Sequence, residues 1–409
     1  MRTIDSVFLQ AEEDCKPQFA LFENTEEQLT RKMLEAFKDF QIAQRHFAPS
    51  NGYGYDDIGR DTLEALFAHI FKAEEAIVRP QITSGTHALS LCLFGLTKPG
   101  DHILSITGKP YDTLMTVIEG AAGDLKSQGV DFSFVPLKDN EIDLAALKEN
   151  IRPNTSLIML QRSRGYDWRK AFNVKELEEA IRKVKKIKPD AKTFVDNCYG
   201  EFTELSEPVS AGADVIAGSL IKNPGGGIAP TGGYIAGTKE CIEKIASRLT
   251  APGIGRETGS YEASYRPFYQ GLFMAPHTVC QALKTACLAS RAGELLGLKV
   301  SPGYNEKRSD IIQALQFNDP DRLIAFCQGI QYFSPIDSFV TPVPWEMPGY
   351  SDNVIMAAGS FVLGSSIELS CDAPIRPPYT AYLQGALSYA HGKTALKGSF
   401  LRMREKGML

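Results

Sequence analysis

Two periods alternate along this chain. In some stretches apolar residues recur every three or four positions; in others they run unbroken over four or five. Over 26–47, Leu29, Met33, Phe37 and Phe40 stand at helical spacing and predict an N-terminal helix lying on a larger body. Residues 48–62 carry glycines and an asparagine and predict a loop, with Asp61 or Thr62 placed to cap the next helix. Over 63–73, Leu63, Leu66, Phe67, Ile70 and Phe71 make one apolar stripe of that helix. A strand over 76–83, broken by Pro80, leads to Ser84, Gly85 and Thr86, which open a helix over 87–96. That helix is apolar nearly all round and so should be buried. Short apolar runs at 102–106, 132–135 and 157–161 read as strands, as do two that end at Asp196 and Ser219. Val174, Leu177, Ile181 and Val184 mark a helix among them. Strands alternating with helices predict an α/β fold with a mostly parallel sheet covered on both faces.

Beyond Gly237 the pattern changes. A turn-rich loop over 251–270 precedes a long helix from Pro276 to about residue 296, with Val279, Leu283, Cys287 and Leu295 on one side. Strands are expected at 322–326 and 331–333, a hairpin pairs 353–358 with 361–370, and a last helix covers 379–389. Pro342, Pro344 and Pro348 stiffen the loop before the hairpin. This predicts an N-terminal helix and arm over 1–60, a large domain over 61–280 and a small α+β domain over 281–409.

Length agrees with that division, because 409 residues exceed what one core usually holds. The net charge of −5 offers no basic footprint for nucleic acid and no polybasic patch for a membrane. No apolar run reaches the length of a membrane span, and the acidic N-terminus is unlike a signal peptide. The eight cysteines are scattered without a C-x-x-C pair, and the six histidines show no metal-binding spacing. The expectation is therefore reduced thiols, no metal site and a cytoplasmic protein whose partner is a small molecule. No Walker loop or G-x-G-x-x-G supports nucleotide binding.

Candidate chemistry gathers in one stretch. Lys222 follows the run that ends at Ser219 and stands between Ile221 and Asn223-Pro224, ahead of Gly225, Gly226 and Gly227. Pro224 disfavours helix at Asn223, which leaves Lys222 on a strand end or loop. A lysine walled by apolar residues is a poor surface residue but a good amine nucleophile, since desolvation lowers its pKa. Asp196, twenty-six residues earlier at another strand end, is placed to face a cationic group. Taken singly, each has an ordinary reading as a surface lysine and a turn carboxylate. Ser84, Gly85 and Thr86 outline an anion site at a helix start, or a plain N-cap. Tyr111 stands twenty-seven residues after Ser84, where it can stack on a ring or simply pack a loop. Ser84, Asp196 and Lys222 all fall at carboxyl ends of predicted strands, where ligands of such sheets collect.

The segments VDNCYGEF, SLIKNPGGG and TGGYIAG resemble the fold-type-I pyridoxal 5′-phosphate (PLP) enzymes of cysteine and methionine metabolism. The nearest group is the methionine gamma-lyase-like proteins described as aluminium-resistance or cystathionine-lyase-like. The resemblance is strongest over the first two thirds of the chain. It implies an aspartate-aminotransferase-type large domain, a small C-terminal domain, and a homodimer or homotetramer with shared active sites. By the same resemblance Lys222 forms the Schiff base and Asp196 faces the pyridinium nitrogen. Gly85, Thr86 and Ser219 hold the phosphate, Tyr111 stacks on the ring, and the partner subunit's Tyr55 reaches the phosphate. Departures fall around the substrate. The family arginine two after that tyrosine is Asp57, with Arg60 nearby. Ile221 replaces the hydroxyl residue before the lysine. Glu368 stands at the place of the carboxylate-binding arginine, a role open to Arg376. QRSRGYDWR replaces the usual Asn-Pro motif, with Arg162, Arg164 and Arg169 as anion ligands or surface residues. The implied activity is carbon–sulfur lysis of a sulfur-containing amino acid by β- or γ-elimination, giving thiol, ammonia and 2-oxo acid. Transamination, aldol cleavage, decarboxylation and a non-catalytic binding role are the alternatives.

Overall fold

The computed structural model describes residues 3–347 and 350–409 and contains two sheets, each with its own core; Pro348 lies outside the described residues. The strands of the large sheet are β1 (Glu75–Arg79), β2 (His102–Ser105), β3 (Asp131–Phe134), β4 (Thr155–Gln161), β5 (Lys192–Asp196), β6 (Val215–Ser219) and β7 (Gly233–Gly237). Those of the small sheet are β8 (Lys299–Ser301), β9 (Gln313–Gln316), β10 (Val354–Ala357), β11 (Ser370–Pro374) and β12 (Thr380–Gln384). The helices are α1 (Ile4–Asp39), α2 (Ile58–Phe71), α3 (Gly85–Leu96), α4 (Asp112–Ile118), α5 (Leu147–Asn150), α6 (Val174–Ile187), α7 (Lys239–Leu249), α8 (Arg266–Leu295), α9 (Pro320–Tyr332) and α10 (Tyr389–Glu405).

The large sheet runs in the order β1-β7-β6-β5-β4-β2-β3. Strands β2 to β6 are parallel, and β7 lies antiparallel to both β6 and β1. Successive residues feed opposite cores, as a period of two requires. Leu157 and Met159 pack on one face with Phe194, Val215 and Ala217. Ile158 and Leu160 pack on the other with Val195, Ile216 and Ala236. Both faces are therefore dry, which explains why the strands read as continuous apolar runs. The parallel direction brings the ends of β4, β5 and β6 to one edge.

The second sheet is antiparallel, in the order β10-β11-β12-β9-β8, and is backed by α9 and α10. Two long helices join the cores. Ile4, Val7, Phe8 and Ala11 of α1 belong to the small-sheet core, whereas Leu29, Met33 and Ala36 belong to the large one. Helix α8 does the same in reverse, with Leu272 and Val279 in the large core and Leu288 and Ala292 in the small one. Pairs Asp14–Arg291, Glu23–Lys284 and Glu26–His277, each 2.7 Å, show the two helices running antiparallel. Residues 4–11 thus pack with the C-terminal part of the chain.

Several expectations are corrected. The N-terminal helix begins at Ile4, not near residue 26, and α8 begins at Arg266 with Pro276 inside it. The strands expected at 322–326 and 331–333 are one helix, α9. Asp319 caps it through the Arg322 N–H at 2.8 Å, and Leu323, Phe326, Cys327 and Ile330 form its buried stripe. The helix expected over 379–389 is instead β12, flanked by β9 and β11, followed by α10 from Tyr389. A short run buried at every position carries no period that separates strand from helix. The hairpin partner of β10 is β11 at Ser370–Pro374, so 361–369 forms turns.

Candidate active site

Strand β6 ends at Ser219, and the chain turns sharply to present Lys222. The Leu220 N–H donates to the Gly232 carbonyl at 2.9 Å, and the Gly225 N–H to the Lys222 carbonyl at 3.2 Å. A Cβ on Gly225 would stand 1.7 Å from the Leu220 carbonyl oxygen, so only glycine fits there. Asn223 locks the turn to the neighbouring loop by donating to the carbonyls of Tyr199, at 3.0 Å, and Glu201, at 2.9 Å. The Lys222 Nζ sits 4.0 Å above the centroid of the Tyr199 ring.

Asp196 closes β5 and is paired with Ala217 of β6, so its side chain starts beside the Lys222 turn. It is 4 % exposed and accepts from the Cys198 N–H at 3.1 Å. Burial raises its pKa, while Lys222, the Cys198 N–H and Arg169 draw it back. For Lys222 the expected direction is reversed. Burial alone pushes the ammonium down, but Cys198, Tyr199, Tyr111 and Asp196 around it hold it well above the ordinary lysine range.

Tyr111 precedes α4 and lies 3.4 Å from the Thr86 hydroxyl. Burial, with the Asp196 carboxylate adding to it, keeps its phenol protonated far above the usual range. Gly85 and Thr86 form the first turn of α3, whose leading N–H groups have no partner inside the helix. A Cβ on Gly85 would lie 3.3 Å from Ser219 Cβ and 3.6 Å from Cys198 Sγ. The helix start, the end of β6 and the loop after β5 therefore meet at one point. Ser84 is exposed and caps α3 by accepting from the His87 N–H at 3.0 Å.

Behind this edge a buried polar network fixes the loop 197–207. Arg162 donates to Asn197 at 2.9 Å, Glu204 at 3.0 Å and Glu207 at 3.1 Å. Tyr234 donates to Glu201 at 2.8 Å, and burial pushes the Glu201 carboxyl up to about 8. Arg162 is thus a scaffold residue. Cys198 and Tyr199 both touch the site; they lie in the VDNCYGEF segment, but no role is expected of either from the sequence. Tyr199 holds a left-handed backbone, φ 70, which no local pattern announces.

The remaining expected residues make other contacts within the chain. Tyr55 is 62 % exposed and stacks on Tyr53 with centroids 5.4 Å apart. Arg60 is turned into its own chain, donating to the Gly54 carbonyl at 2.7 Å and pairing with Asp61 at 2.8 Å. Asp57 caps α2 through the N–H groups of Gly59 and Arg60, both at 3.0 Å. Glu368 accepts from the N–H groups of Phe361 and Val362, both at 2.8 Å, and so supports a turn. Arg376 pairs with Asp352 at 2.9 Å, its side chain 43 % exposed.

In front of Tyr111 a cavity of 270 Å³ is lined by Gln161, Arg164, Tyr166, Arg169, Tyr350 and Arg376 among others. Beside it Asp372, buried, accepts from Tyr166 at 2.8 Å and Gln384 at 2.7 Å. The lysine–carboxylate pair, the aromatic face and the close-packed helix start fit pyridoxal phosphate. Lys222 would carry its aldehyde, Asp196 its ring nitrogen, and Gly85, Thr86 and Ser219 its phosphate.

The family described as methionine gamma-lyase matches residues 4–403. The chain is 51 % identical over 383 residues to the uncharacterized protein YnbB of Bacillus subtilis, covering 92 % of this chain and 91 % of that one. A carbon-sulfur lyase involved in aluminum resistance from Clostridium novyi superposes with a TM-score of 0.94 at 49 % identity, over 98 % of this chain and 96 % of that one. The pyridoxal-5′-phosphate dependent protein YhfS of Escherichia coli, 15 % identical with a TM-score of 0.60 over 94 % of this chain and 97 % of that one, shares the fold alone. The chain belongs to the methionine gamma-lyase family and has the fold-type-I architecture of pyridoxal-phosphate enzymes.

Proposed function

We infer that this protein is a PLP-dependent carbon–sulfur lyase acting on a sulfur-containing amino acid. The observation that carries the reading is the convergence of Lys222, Asp196 and Tyr111 on one strand edge, beside the start of α3. Pyridoxal phosphate, when bound, supplies the electron sink for charge developing at the substrate Cα. The chain's own groups do the rest. Lys222, once its amine is free, takes the Cα proton. The carbon–sulfur bond then breaks with the electron pair on sulfur, and Tyr111, held protonated, is placed to return a proton to it. Asp196 keeps a negative charge against the ring nitrogen. Water then hydrolyses the unsaturated amino acid that is released, so the products are thiol, ammonia and 2-oxo acid.

The protein is further read as a cytoplasmic homodimer or homotetramer. Among the described residues no helix is long and apolar enough to cross a membrane. The exposed Tyr53–Tyr55 stack supports a subunit contact that brings the partner subunit's Tyr55 to the phosphate. Light scattering should return at least twice the chain mass; a monomer would remove the shared-site reading.

Borohydride reduction of the PLP-loaded protein should fix the chromophore on the peptide that carries Lys222, read as a mass increase. Lys222→Ala should lose that adduct and nearly all release of 2-oxo acid. Wild-type turnover in Lys222→Ala would end the assignment. Amino-group transfer without thiol release would replace lysis by transamination.

A further inference from the structure

Four arginines stand in or beside the cavity before Tyr111, and three of them are engaged. Arg162 is bound to Asn197, Glu204 and Glu207. Arg169 donates to the carbonyls of Gln161 at 3.1 Å and Lys170 at 3.0 Å, and also to that of Ser163. Arg376 is paired with Asp352 at the exposed mouth. Arg164 differs. It is 1 % exposed, yet its Nε and Nη1 have no hydrogen-bond partner. It forms no ion pair among the described residues. The nearby Asp310 carboxylate accepts from two backbone N–H groups instead, those of Arg164 at 3.2 Å and Ile312 at 3.1 Å. A buried guanidinium with free donors is a costly arrangement unless an anion completes it.

The cavity itself supplies the sign. Lys109, Arg164, Arg169 and Arg376 line it against only Asp112 and Asp167, four cations to two carboxylates. Arg164 and Tyr111 share its wall, and Arg164 also borders a second cavity of 180 Å³ with Lys170, Glu306, Lys307, Arg308 and Asp310, where Glu306 and Asp310 leave less call for an anion. We propose that Arg164 receives the α-carboxylate of the amino-acid substrate, the role left vacant by Glu368. The assignment rests on the lyase reading above. It makes Arg164 a substrate-binding residue on the loop after β4 of the large sheet, rather than one from the small sheet.

The test is an absorbance titration of the PLP-loaded protein with L-alanine, which has no sulfur leaving group, and with ethylamine, which also lacks the carboxylate. Wild type should prefer L-alanine by about 30-fold or more, the expected weight of a buried charge-paired contact. Arg164→Gln should reduce that ratio to a few-fold while keeping the chromophore. Arg164→Lys covers the case in which the glutamine variant does not fold. It keeps the charge but not the planar fork, and its ratio should fall between the two. A wild-type ratio in both variants, or a collapse in Arg376→Gln instead, would overturn the proposal. A wild-type protein that takes up no PLP would defeat the lyase reading, and this assignment would fall with it.

Discussion

Glu201 is a buried carboxyl with one oxygen bound to Tyr234 and the other, Oε2, without a partner. Burial raises it from 4.5 to about 8, so the folded protein holds a proton that the unfolded chain has already released. Between those values the folded state binds more protons. Stability from this group therefore falls as pH climbs from 4.5 towards 8 and is level above that. Glu201→Gln keeps an acceptor for Tyr234 and removes the titration. The drop in melting temperature between pH 6 and pH 9 should be smaller in the variant than in wild type; an equal drop would show that Glu201 does not titrate in this range. Lys222 and Asp196 were legible as residues because small-residue context surrounds both. Their electrostatics were not. The groups around Lys222 come from two remote places, the end of β5 with the residues that follow it and the start of α4, and one of them, Tyr199, is placed by a left-handed backbone.

The element that matters most is the turn from Leu220 to Gly227. Its glycines were visible in the sequence; the reason for Gly225 was not. Its missing Cβ leaves room for the Leu220 carbonyl, which belongs to the same turn. Gly225→Ala should therefore remove folded, soluble protein. Gly303→Ala, whose nearest neighbour would be 3.5 Å away, should leave yield and near-ultraviolet circular dichroism unchanged. A well-folded Gly225→Ala protein would refute this account of the turn. The large sheet was readable because its inner strands are buried on both faces and helices such as α2 and α6 carry one apolar stripe. In the small domain those cues fail. The run Thr380–Gln384 is short and buried throughout as the third strand of five, and only its pairing with β9 and β11 makes it a strand.

At the scale of the molecule, α1 and α8 bind the two cores into one body. Phe8 is 2 % exposed, in the small-sheet core, with its ring centroid 6.2 Å from that of Phe400. Phe8→Ala should cost about 3–5 kcal/mol, as other buried aromatic truncations do, and shift the denaturant midpoint accordingly. A shift within error would mean that residues 4–11 are not part of that core. The sequence by itself determined the alternation of strand and helix, the mostly parallel sheet, the lysine and carboxylate at its edge, and the family. Each of these depends on local period, on turn chemistry or on a short motif. Tertiary structure alone decided that residues 4–11 complete the distant C-terminal core, that Arg162 holds Asn197, Glu204 and Glu207, that Glu368 supports a turn, and that Arg164 keeps free donors. Those facts depend on which groups from remote parts of the chain meet. A buried charge is defined by its neighbours, and the order of residues along the backbone does not say who they are.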